Sequence, residues 1–140
     1  LEKSPLKSET RPRIVTWLAL GALIFSILFI VRFYLSYHLP NLPITIPRWY
    51  LSLTGFVWGL AGFVLSYGLF QIYPWALRML TWGSLSFSGW YWLDRLFFAS
   101  SEYSQLNWIA SLILTFIALG LILGIQRRLD VQAAFKENEK

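Results

Sequence analysis

Cysteine is absent from this 140-residue chain, which excludes disulfides, thiolate nucleophiles, iron–sulfur clusters and cysteine-ligated zinc. A single histidine, His38, excludes a transmembrane haem held by two imidazoles of the same chain. Charge is scarce as well. Only 14% of residues are charged and 56% are hydrophobic, against roughly 25% and 45–50% in soluble domains. With eight Trp and a mean hydropathy of +0.53, too few polar residues remain to cover a water-soluble core. The chain therefore reads as an all-α, polytopic integral membrane protein.

What is present is a series of long charge-free runs, at residues 14–31, 49–77, 79–93 and 103–126, where about 20 apolar residues suffice to cross a bilayer. Pro74 interrupts the second run, and proline suits the first turn of a helix far better than its interior. The predicted spans are residues 14–37, 48–70, 75–98 and 106–126. Arg78 and Asp94 fall inside the third, close enough to its ends to reach headgroup water. Residues 1–13 form a basic N-terminal segment and 14–126 the transmembrane domain. Residues 127–140 form a charged C-terminal tail, expected to continue the fourth helix into the cytoplasm. The first span reads as a retained helix rather than a cleaved signal. Its apolar stretch exceeds a signal core, and Phe33-Tyr34-Leu35-Ser36-Tyr37 lacks the small-x-small pattern of a cleavage site.

Orientation follows from the basic residues. With four spans, Lys3, Lys7, Arg11, Arg13, Arg78, Arg127, Arg128, Lys136 and Lys140 share one side, and Arg32, Arg48 and Arg95 the other. Nine against three predicts both termini on the cytoplasmic side. The net charge of +5 thus reflects topology, and no nucleic-acid partner is expected. The short link at 71–74 makes the second and third spans antiparallel neighbours, and the whole is predicted to be an antiparallel four-helix bundle. The expected location is a bacterial inner membrane or an energy-transducing membrane.

Small residues carry the packing signal. Ser52, Gly55, Gly59, Gly62 and Ser66 recur at steps of 3 and 4 on one face of the second span, which lets another backbone come close. On the third span Thr81, Ser84, Ser88, Tyr91 and Arg95 follow the same spacing, and Gly120 with Gly124 forms a further GxxxG on the fourth. The first span is ringed by Phe25, Phe29, Phe33 and branched aliphatics and is expected to face lipid. Near the outer rim, Arg32, Arg48, Asp94, Arg95 and Glu102 form an interfacial charge cluster. It reads as an ion-pair clamp between Asp94 and Arg32 or Arg48, or as a site for an anion or lipid headgroup. His38 reads as a helix-ending residue, or as a ligand to a pigment or haem held with a partner chain.

One carboxylate near these arginines and no nucleophile give no acid–base pair, so no enzymatic activity is expected. The span centres hold no Asp, Glu, Lys or His, so transport coupled to an intramembrane acid is not expected either. The leading expectation is a noncatalytic accessory or assembly subunit of a larger membrane complex. Its glycine faces would receive helices of other integral membrane subunits, in a hetero-complex rather than a homo-oligomer. The alternatives are an oligomeric small-solute or ion channel using Ser84 and Ser88, and a lipid-binding scaffold using Arg32, Arg48 and Arg95. Bound lipid is expected, with no metal and no resident cofactor; a pigment or quinone shared with a partner is the remaining cofactor reading.

Overall fold

A computed structural model describes residues 12–38, 46–98 and 107–137. Among them the chain is helical throughout, without strands: α1 (Arg13–His38), α2 (Arg48–Phe70), α3 (Pro74–Phe98), α4 (Trp108–Gln126) and α5 (Leu129–Glu137). Prolines start three of these. The carbonyls of Pro12 and Pro47 accept the first turn's amides of α1 and α2, and Pro74 opens α3, where a missing N–H costs nothing. Among the described residues α1, α2 and α4 are long and apolar enough to cross a membrane. α3 has 25 residues but is the least apolar of the four long helices, because Arg78, Asp94 and Arg95 lie within it. Residue 106, the expected start of the fourth span, lies outside the described residues.

The polarity is inverted relative to a soluble protein. Leu28, Phe63 and Phe116 are more than half exposed, whereas Ser26, Ser36, Thr54 and Ser66 are buried. Without a hydrophobic drive between helices, close backbone approach and interhelical hydrogen bonds must hold them together. The α1–α2 pair is built that way. A Cβ on Gly55 would lie 3.0 Å from both the Phe29 carbonyl oxygen and the Phe33 amide nitrogen, and one on Gly62 would lie 3.3 Å from the Ala22 carbonyl oxygen. Ser26 Oγ donates to the Gly59 carbonyl at 2.5 Å, Ser66 Oγ donates to the Ala19 carbonyl at 2.9 Å, and the Ser36 and Ser52 hydroxyls meet at 2.7 Å. The paired positions run in opposite directions along the two helices. α1 thus does more than face lipid: its small residues Ala19, Ala22, Ser26 and Ser36 seat the α2 stripe, while residues such as Ile24 and Leu28 point outward.

The turn from α2 to α3 closes with the Ile72 amide on the Leu69 carbonyl and the Tyr73 amide on the Gly68 carbonyl. This pattern places its pivot, Ile72, in the left-handed region at φ 56°. Such a conformation is costly for a β-branched residue. It is held because Ile72 packs against the core around Leu69 and Val15.

That core occupies the end of the molecule where α1 begins, α2 meets α3 and α4 ends. Val15, Ala19, Leu69 and Ala76 are fully buried there, and so is Val131 from α5, with Phe135 beside it. Residues 127–137 were expected to prolong the fourth helix. Instead the helix stops at Arg127, and α5 folds back so that Val131 and Phe135, one turn apart, enter the core. The i, i+4 apolar pair gains more by burial than a straight extension into water offers.

Candidate functional site

The four long helices do not meet along their whole length. α3 and α4 are clasped near both ends. At one, Thr81 Oγ1 donates to Gln126 Oε1 at 2.6 Å, and at the other Arg95 Nη1 donates to Ser111 Oγ at 3.1 Å. Between the clasps they stand apart from α1 and α2, leaving a partly enclosed cavity of about 560 Å³ lined by all four helices. This lies within the roughly 300–1,000 Å³ of small-molecule sites.

Its walls are mostly hydrocarbon and aromatic: Leu18 and Phe25 from α1, Trp58 from α2, Phe87 from α3, and Leu114 and Ile122 from α4. Two glycines open it further, since a Cβ on Gly21 or Gly83 would meet nothing within 4 Å. Aromatic packing forms the wall shared by α1, α2 and α3. Phe87 meets Phe25 edge-on at 4.9 Å and Trp58 at 5.0 Å, and Trp58 and Trp90 lie 5.5 Å apart. The buried core bounds the other side through Leu18, Ala22 and Leu65, which touch both.

The polar groups of the wall concentrate on α3 and α4: the hydroxyls of Ser84, Ser88, Tyr91, Ser111 and Thr115. Ser84 and Thr115 donate back to the carbonyls of Thr81 and Ser111 on their own helices. Tyr91 and Ser111 both accept from Arg95 Nη1, at 3.3 and 3.1 Å. Ser88 has no hydrogen-bond partner among the described residues.

The glycine stripe of α2, Ser52, Gly55, Gly59, Gly62 and Ser66, lies against α1, and Gly62 also borders the cavity. Gly120 and Gly124 on α4 face open space, and no residue of α4 is buried. Asp94 accepts from the Tyr50 hydroxyl, which itself accepts from Trp90 Nε1 at 2.8 Å, and Asp94 Oδ1 has no partner. Arg32 lies 5.8 Å from the ring centres of Phe29 and Trp90, a cation–π arrangement. Arg48 is exposed at the start of α2, and Glu102 lies outside the described residues. His38 stacks on Tyr34 at 4.0 Å, with Nδ1 3.1 Å from the Tyr34 carbonyl oxygen, and is exposed. Among the described residues no group of three His, Asp or Glu side chains is placed to hold a metal.

Sequence reasoning singled out Ser84 and Ser88 but missed Gly21, Gly83, Tyr91 and Ser111 as parts of one wall. The signal for Tyr91 was its place in the 3-and-4 polar stripe of α3. No sequence signal distinguishes a glycine over empty space from one against a backbone. No protein-family model, curated protein or solved structure matches this chain.

Proposed function

We propose that this chain is a noncatalytic membrane protein that holds a lipid-like amphiphile among its helices. The carrying observation is the cavity, lined by all four long helices and open on one side, with apolar walls and a few hydroxyls gathered together. The reading includes four spans. α3 joins the three more apolar helices, with Arg78 at one end and with Asp94 and Arg95 held near the other by Tyr50, Tyr91 and Ser111. The bundle is antiparallel and both termini face the cytoplasm, by the excess of Lys and Arg on that side. A bacterial inner membrane or an energy-transducing membrane suits such a chain. Apolar packing on two sides of the cavity speaks against a water-filled path through a single chain.

The test uses glycines that fill the cavity when enlarged. Gly83→Leu and Gly21→Leu add side chains where a Cβ meets nothing within 4 Å, and an unchanged unfolding midpoint checks that the fold is kept. A bromine-labelled acyl probe is expected to quench Trp17 and Trp58 saturably in the parent protein and at least about tenfold more weakly in either variant. Equal quenching in parent and variants, growing linearly with probe, would show partition into detergent and sink the reading.

A second reading is favoured by α4. A strongly apolar helix with no buried residue and with Gly120 and Gly124 uncovered suits an accessory or assembly subunit whose α4 packs on a helix of another integral membrane subunit. On this reading, photo-crosslinkers at residues 117 and 121 recover a membrane partner, and Gly120→Leu with Gly124→Leu abolishes it. Crosslinks to lipid alone would dismiss this reading.

A further inference from the structure

The cavity's hydroxyls are unequal in a way that specifies a ligand. Ser88, Tyr91 and Ser111 all line it, and none of these three hydroxyl hydrogens has an acceptor among the described residues. Tyr91 and Ser111 receive hydrogen bonds from a single Arg95 nitrogen, so they are neighbours. Accepting from a guanidinium polarises each O–H and strengthens it as a donor. Ser88 lies one turn from Tyr91 on the same face of α3. Hydroxyl donors left unused against hydrocarbon are costly. Three of them, two polarised by Arg95, are placed to donate together to one acceptor group.

The rest of the cavity leads away from this point as an apolar slot. Along α3 it extends from Tyr91 back to Met79, a rise of about 18 Å at roughly 1.5 Å per residue. One leaflet of hydrocarbon spans about 15 Å, half of a bilayer core.

Resting on the amphiphile reading above, we infer that the ligand is a long-chain carboxylate, a fatty acid lying along the bundle. Its carboxylate oxygens accept from Ser88, Tyr91 and Ser111 beside Arg95, and its chain runs between Phe87 and Leu114 toward Leu18. A carboxylate offers about four acceptor sites and a negative charge, which suits hydroxyl donors polarised by Arg95. A fatty alcohol can share these hydroxyls but brings no charge to the donors that Arg95 polarises.

The experiment measures binding of palmitate and of palmityl alcohol to the delipidated full-length protein in a nonionic detergent, by displacement of the brominated acyl probe. Palmitate is expected to bind about tenfold or more tightly than the alcohol, as a charge-assisted set of hydrogen bonds implies. In Arg95→Gln and in the double variant Tyr91→Phe, Ser111→Ala, the preference for palmitate over the alcohol is expected to vanish, with the fold checked by the unfolding midpoint in the same detergent. Equal binding of the two ligands to the parent protein would overturn the carboxylate assignment and leave the amphiphile reading standing. Displacement by neither would overturn both. Tight palmitate binding that survives both sets of substitutions would place the headgroup elsewhere and equally overturn the assignment.

Discussion

At Gly55 a methyl group would press on main-chain atoms of α1, at Gly59 it would meet the Ile30 Cγ1 atom, and at Gly83 or Gly120 it would meet nothing. Side chains yield and main chains do not, so the three situations have different energies. Gly55→Ala is expected to cost about 1–3 kcal/mol by overpacking, and Gly59→Ala less. Gly120→Ala is expected to be neutral or to stabilise by up to about 1 kcal/mol through helix propensity. Unfolding midpoints of the purified variants in one detergent give the order directly. Ile72 offers an inverted case. Both Ala and Gly lose the side chain that packs on the core, but only Gly relaxes the φ of 56°. Ile72→Gly should therefore be more stable than Ile72→Ala by about 1 kcal/mol, and the reverse order would argue against a left-handed pivot.

Helix by helix, legibility depended on whether a pattern carried its own partner. The α2 stripe stands out because five small residues keep helical spacing, and the boundaries of α2 and α3 follow from Pro47 and Pro74. The seat for that stripe on α1 is harder to see, because Phe25, Phe29 and Phe33 interleave with Ala22, Ser26 and Ser36 and dominate any reading of that span as lipid-facing. α5 was obscured by the charges around it, although Val131 and Phe135 mark one buried face. A helix of nine residues is too short to be stable alone, so it depends on that face. Phe135→Ala is expected to remove about 3 kcal/mol or more of packing and to release α5. Amide exchange of residues 131–136 should then rise to the level of an unstructured peptide while α1 and α2 remain protected. Continued protection of α5 would mean that its core contacts do not hold it.

Taken as a whole molecule, the chain combines one tight helix pair with a second pair joined by polar clasps near its two ends. Thr81 with Gln126 and Arg95 with Ser111 set the separation of α3 and α4, and the cavity is what this separation leaves between them and α1–α2. Nothing in periodicity or composition encodes that gap, which is why the hydroxyls of α3 were legible as a stripe and not as a wall. In the proposed function an amphiphile fills it. Native mass spectrometry of the protein extracted in mild detergent, parent beside Gly83→Leu, tests this most directly. The parent is expected to fly as the 16.3 kDa chain with one retained amphiphile, and the variant with none. A bare chain in both, or the same adduct in both, would contradict it.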